Sequence, residues 1–179
     1  MRKKISFKLL LGIGIFLCPF LISVAHSQSV EGTFDYNYEI VYQEEAHGRT
    51  ILYALEHEKW TGSFEGNAHA VFIVIVDEAG VPTVDLFSTF TGIVDGKSGS
   101  LVILLIGEKS TPDGDWAGDW DIVRGIGKLE NLRGQGTWGG PGYEGPRPPE
   151  ENWDPVGEGN TRPDIWYKGT VSTEGVPKN

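Results

Sequence analysis

From about residue 30 onward the chain alternates between hydrophobic and polar side chains. Across residues 33–42, Phe34, Tyr36, Tyr38, Ile40 and Tyr42 fall on one face and Asp35, Asn37 and Glu39 on the other. A period of two marks a strand with one buried face. Residues 51–60 alternate less cleanly, because Glu56, His57, Glu58 and Lys59 would suit the end of a helix. Thr61-Gly62 follows at once and β-rich segments flank the stretch, so a strand is expected there too. Residues 68–76 and 100–106 are apolar on both faces and predict strands central in the sheet. Further strands are expected over 83–91, 116–123 and 164–172. Asp77-Glu78-Ala79-Gly80, Asp95-Gly96 and Pro112-Asp113-Gly114 supply the turns between them. No stretch shows a helical period with caps. Strands at hairpin spacing predict an all-β chain, a sandwich or a barrel.

A weak internal echo supports a bent sheet. Trp60-Thr61-Gly62-Ser63-Phe64-Glu65-Gly66 and Phe90-Thr91-Gly92-Ile93-Val94-Asp95-Gly96 share the order aromatic, Thr, Gly, two variable residues, acid, Gly. Glycines at strand ends predict equivalent corners, with Gly92 expected at positive φ. Residues 139–163 break the pattern. Gly139, Gly140, Pro141, Gly142, Pro146, Pro148, Pro149 and Pro155 forbid regular pairing and predict a long insert before the closing strand.

The amino terminus changes the picture of location. Arg2, Lys3, Lys4 and Lys8 precede an uncharged apolar run, and Ala25-His26-Ser27 ends it with small residues where a signal peptidase reads. This layout predicts a signal peptide over 1–27 and one exported domain over 28–179, periplasmic or extracellular, with no membrane attachment after cleavage. Cys18 and Met1 leave with the signal, so the mature chain has no disulfide and no thiol chemistry. The net charge is -10, and cleavage removes four basic residues and no acidic ones. That balance excludes nucleic acid as a partner, since binding it requires Lys and Arg against phosphate.

Three segments carry a family resemblance: Phe90-Thr91-Gly92; Gly96-Lys97-Ser98-Gly99-Ser100-Leu101-Val102; and Gly125-Ile126-Gly127-Lys128-Leu129 with Leu132-Arg133-Gly134-Gln135-Gly136. Together they resemble a bacterial family known only as a domain of unknown function, related in fold to allene oxide cyclase and the dirigent proteins. The match spans most of 30–138 and the last strand. It implies an eight-stranded antiparallel barrel of the allene-oxide-cyclase-like, calycin type with a central cavity, and no assigned reaction. Members of that family often carry a Glu-Arg pair before the first motif and a Gln-His pair after the second. Ser88-Thr89 and Leu104-Leu105 stand there in this chain.

Candidate chemistry is sparse. Glu56 and Glu58 would share one face of an extended strand and could act as acid and base, but a solvated face is the expected reading. His47, His57 and His69 lack metal-ligand spacing, and Asp113, Asp115, Asp119 and Asp121 lack that of an EF-hand, so neither metal nor cofactor is expected. No Gly-x-Ser-x-Gly elbow is present. Most of Trp116, Trp120, Trp138 and Trp166 are expected in the core. The candidate ligand contacts are Tyr143 and Trp153 in the insert, with Ser88 and Leu104 at the altered family positions. Three functions stay open: a binder of a small apolar molecule in the barrel, a cofactor-free isomerase or cyclase, and a surface module for carbohydrate or protein. Association with further copies of the chain stays open as well.

Overall fold

A computed structural model of the chain describes residues 27–141 and 165–173. Eight antiparallel strands follow one another: β1 Ser27–Ala46, β2 Arg49–Gly62, β3 Phe64–Val76, β4 Pro82–Val94, β5 Lys97–Lys109, β6 Trp116–Gly127, β7 Leu132–Gly140 and β8 Ile165–Thr173. Each pairs with the next, and β8 pairs back onto β1, so the sheet closes into a barrel with no free edge. The expected signal peptide over 1–27 lies outside the described residues except for Ser27, which begins β1.

The turns follow from local chemistry. Asp95 and Gly96 have φ of 51° and 70°, the left-handed pair that a two-residue hairpin requires. His47 and Gly48 repeat that geometry between β1 and β2, at φ of 53° and 73°. The Asp77 carboxylate accepts from the amides of Ala79 at 2.9 Å and Val81 at 2.8 Å, closing the turn between β3 and β4. At the corner between β2 and β3, the Tyr167 hydroxyl accepts from the Phe64 amide at 2.8 Å and donates to the Thr61 carbonyl at 3.0 Å.

Alternation sends one face inward on β2 to β5, while β1 and the end of β7 depart from it, with Asn37 buried on β1 and Trp138, Gly139 and Gly140 all buried on β7. Along β3, Phe64, Ala68, Ala70, Phe72 and Val74 are buried while Val71, Ile73 and Ile75 face outward and are exposed. The doubly apolar strands, expected to be central in the sheet, thus mark an inner core plus an apolar outer surface. Bulges at Val41 in β1 and Val123 in β6 reset the register once on each strand.

Glycine and aromatic residues fit together inside. Gly66 opposes Gly92 beneath Phe90, Gly107 opposes Gly118 beneath Trp138, and Gly136 opposes Gly169 beneath Trp120. Missing Cβ atoms let each ring lie against the backbone of two strands. The two sequence echoes are therefore not equivalent corners. Positive φ falls on Gly62 at 95° and Gly96 at 70°, and not on Gly92. Gly92 is required for close approach instead: a Cβ there would lie 2.6 Å from Phe90 Cζ and 2.8 Å from Gly66 Cα. Gly92→Val should cost roughly 1–3 kcal/mol through overpacking. Urea denaturation checks this, and an unchanged midpoint would refute the contact.

Candidate functional site

The barrel interior divides into a sealed half and an open half. In the sealed half, Phe64 sits at the centre of an aromatic cluster. Its ring centroid lies 5.2 Å from Tyr167, 5.7 Å from Trp60, 5.8 Å from Phe90 and 5.8 Å from Trp120. Phe34 stacks on Trp60 at 4.6 Å. Leu129, in the turn after β6, is fully buried against the same end.

The open half holds a cavity of about 240 Å³. Tyr36, Tyr38 and Ile40 of β1, Leu52 of β2, Phe72 and Val74 of β3, Leu86 of β4 and Leu105 of β5 form most of its wall. Lys109 and Trp116 stand at the β5–β6 end. The Lys109 ammonium donates to the Pro112 carbonyl at 3.3 Å and sits 5.6 Å from the centre of the Trp116 ring. Trp138 of β7 and Ile165 of β8 also line the cavity, so the end of β7 and the start of β8 lie beside it.

Among the described residues, one carboxylic side chain lines this apolar space, that of Glu56. Glu58 lies behind it, one inward position nearer the aromatic cluster. Both are buried, at 5% and 1% exposure, which overturns the expected solvated face. The reason is parity: Trp60 closes β2 facing inward, and residues two and four positions earlier must share its side. Room for them comes from small neighbours, since Ala68 pairs with Glu58 and Ala70 with Glu56 on β3.

Glu58 Oε2 accepts from Trp60 Nε1 at 2.6 Å and from Ser88 Oγ at 2.7 Å. Two short donors favour the carboxylate form. Oε1 of Glu58 has no partner that meets hydrogen-bond geometry. The Glu56 carboxyl couples to it by charge and by a side-chain approach that stops short of a well-formed bond. Burial, then repulsion by Glu58, pushes Glu56 well above the usual glutamate range. Burial also raises Glu58, against the opposing pull of Ser88, Trp60 and Glu56. The pair therefore favours a proton on Glu56, the member raised furthest, beside a Glu58 side chain held by Trp60 and Ser88. Such a site can donate one hydrogen bond or proton into the cavity, or exchange that proton for a cation.

The sequence-predicted ligand contacts scatter. Ser88 points inward but is fully buried behind the cavity wall, where it holds Glu58. Leu104 faces outward, because Ile103 and Leu105 on either side of it are the inward residues of β5; it does not line the cavity. Tyr143 and Trp153 lie outside the described residues. Among the tryptophans, Trp120 and Trp138 are core, Trp116 is partly buried, and Trp166 is 41% exposed with Lys168 over its ring. Asp119 and Asp121 face solvent on β6. His57 and His69 oppose each other across β2 and β3, on the outer face, with ring centroids 4.5 Å apart. No group of three metal-binding side chains occurs among the described residues.

A family model described as a protein of unknown function, DUF3224, matches residues 29–139. Among solved structures, a protein of unknown function from the same family in Shewanella oneidensis MR-1 is similar, at 16% identity and a TM-score of 0.61. The likeness covers 84% of this chain and 100% of that one, and it speaks for the fold alone. No curated protein matches the chain.

Proposed function

Since this chain belongs to the DUF3224 family of proteins of unknown function, no reaction comes with the fold, and we propose from the cavity itself that the protein binds a small, largely apolar molecule inside the barrel. One observation carries this reading: a cavity of about 240 Å³ with a mostly apolar wall in which, among the described residues, Glu56 and Lys109 are the charged side chains. Apolar walls with few placed polar groups are the usual make-up of a small-molecule site. The amino-terminal segment supports export of the protein to the periplasm or beyond, where the ligand would be met. The allene-oxide-cyclase-like and dirigent-like relationship belongs to this proposal too. It rests on the Gly-rich motifs and on eight strands in a ring, and it keeps a cofactor-free isomerase or cyclase as the catalytic alternative.

Binding of a neutral fluorescent probe, 1-aminoanthracene, tests the proposal. The mature protein should bind it with an affinity in the micromolar range, about -8 kcal/mol. Leu86→Trp, which fills the cavity from β4, should abolish binding while the barrel still melts cooperatively. A wild-type protein that binds no apolar probe would refute the reading.

A second reading, self-association, is supported by the outer face. Leu55, Val71, Phe87 and Leu104 run in register across β2 to β5, and Phe87 is 49% exposed. Contiguous exposed apolar side chains of this kind favour association. We propose that two or more copies of the chain meet on this face. Phe87→Glu should then lower the mass measured by sedimentation equilibrium without lowering the melting temperature. A wild-type protein that sediments as a monomer would exclude it.

A further inference from the structure

We propose that the ligand is an apolar amine, whose ammonium group pairs with the Glu56 carboxylate at the inner end of the cavity. The inference rests on the binding reading above and narrows it to a chemical class.

Three observations of geometry meet at this point. First, Glu56 lines the cavity and Glu58 stands directly behind it, so two carboxyl groups converge on one end of an apolar space. Secondly, Glu58 Oε1 is buried, in a residue 1% exposed, and makes no well-formed hydrogen bond, while Glu56 beside it is the carboxyl through which the pair meets the cavity. Thirdly, the wall beside Glu56 is aromatic. Tyr36 and Tyr38 stack at 6.3 Å between centroids, and Phe72 meets Tyr38 edge to face at 5.6 Å. Aromatic faces beside carboxylates form the recognised surroundings of an ammonium ion. A net charge of -10 adds a field that draws cations towards the protein.

Among the described residues, the groups packed around Glu56 give the pair no cation of its own. Glu56 shares its row with Tyr38 on β1, Ala70 on β3, Ser88 on β4, Ile103 on β5 and Ile122 on β6. Glu58 lies on its own strand, and Tyr36 pairs with Glu58. Tyr167 of β8 is held in the sealed half by Phe64 and Thr61. Lys109 is the cation that lines the cavity, and it stands on the order of 20 Å farther along β5 than Ile103, at ~3.3 Å per residue. His57 and His69 are on the outer face.

The proton balance is explicit. Where Glu56 is protonated in the free protein, an ammonium that binds arrives with its own positive charge, Glu56 gives its proton to solvent, and the carboxylate takes the cation. At most one proton is released for each amine bound, and affinity rises with pH until Glu56 is ionised in the free protein.

Calorimetry with three probes of one shape tests the idea: 4-phenylbutylamine, 4-phenylbutan-1-ol and 4-phenylbutyrate. Each is titrated into the mature protein at pH 6 and pH 8, in two buffers of different ionisation enthalpy. The amine should bind at least tenfold more tightly than the alcohol and release more protons at pH 6 than the alcohol does, and the carboxylate should bind weakest. Glu56→Gln, nearly isosteric, should bring amine and alcohol to the same affinity. Equal binding of amine and alcohol by the wild type would overturn the amine assignment and leave the apolar cavity standing. Tighter binding of the carboxylate would overturn it in favour of Lys109 as the recognising group. If none of the three binds, the cavity reading fails along with it.

Discussion

Phe64→Ala should remove about 3–5 kcal/mol of stability, the range for truncating a fully buried aromatic side chain. Phe64 is the ring that Trp60, Phe90, Trp120 and Tyr167 all touch. Each such pair is worth about 0.5–1.5 kcal/mol beyond its buried area. Those rings rest on glycine backbones, as Phe90 does on Gly66 and Gly92, so they have little freedom to collapse into the space left. Urea denaturation of the mature protein gives the result directly. The sealed half is also expected to hold the open half in shape, so the variant should lose affinity for 1-aminoanthracene as it loses stability. A loss of under about 1 kcal/mol would mean that the cluster repacks and does not close that end of the barrel.

The second expected result concerns pH. Glu56 and Glu58 both have folded values raised above the ordinary glutamate range by burial. A group raised in this way makes the folded state bind protons more tightly than the unfolded state, so stability falls as pH rises. The decline begins near the unfolded value of about 4.3 and continues until pH passes the raised folded value. This runs opposite to acid denaturation driven by salt-bridged carboxylates. The mature protein should therefore lose melting temperature from pH 5 to pH 8 through this pair. Glu56→Gln should flatten that slope and stabilise the protein at pH 8 by about 1–3 kcal/mol, because an amide cannot ionise beside Glu58 in the buried site as the acid does when pH rises. Thermal melts across the range decide the matter. A Gln variant that is less stable than wild type at pH 8, with the slope unchanged, would refute the assignment.

Much of the fold was legible in the alternation. The Asp95-Gly96 hairpin and the Asp77 turn follow from residue type and spacing, because each is a local choice with one cheap solution. The β1 alternation holds for Phe34, Tyr36 and Tyr38, but the bulge at Val41 turns Tyr42 outward beside Tyr53, at 52% exposure, and Asn37 on the expected polar face is 2% exposed. The His47-Gly48 hairpin was missed, since a histidine at positive φ carries no strong signal of its own. The glycine pairs were also out of reach. Gly107 and Gly118 become meaningful only when Trp138, far along the chain, is seen to lie over them.

The site was half visible. A spacing of two put Glu56 and Glu58 on one face, and the default that carboxylates face water then placed that face outside. The correcting signal was in the same strand: Ala54, Glu56, Glu58 and Trp60 share parity, and a tryptophan ending a strand beside Thr61-Gly62 belongs to the core. Choosing the face by its largest apolar member would have turned both carboxyls inward. Leu104 failed for the converse reason. A position where relatives carry a polar pair was assumed to face the cavity, although the parity of β5 places its neighbour Leu105 there.

The most direct test of the account is the ionisation of Glu56 itself. Carbon-13 chemical shifts of the glutamate side-chain carboxyls, followed from pH 3 to pH 9 in the mature protein and assigned with Glu56→Gln and Glu58→Gln, report it residue by residue. The account predicts that Glu56 titrates well above the ordinary glutamate range, and that its midpoint falls when an apolar amine is added. A Glu56 that titrates near 4.3, as a solvent-exposed glutamate does, with no response to the amine, would contradict a buried carboxyl pair at the inner end of the cavity.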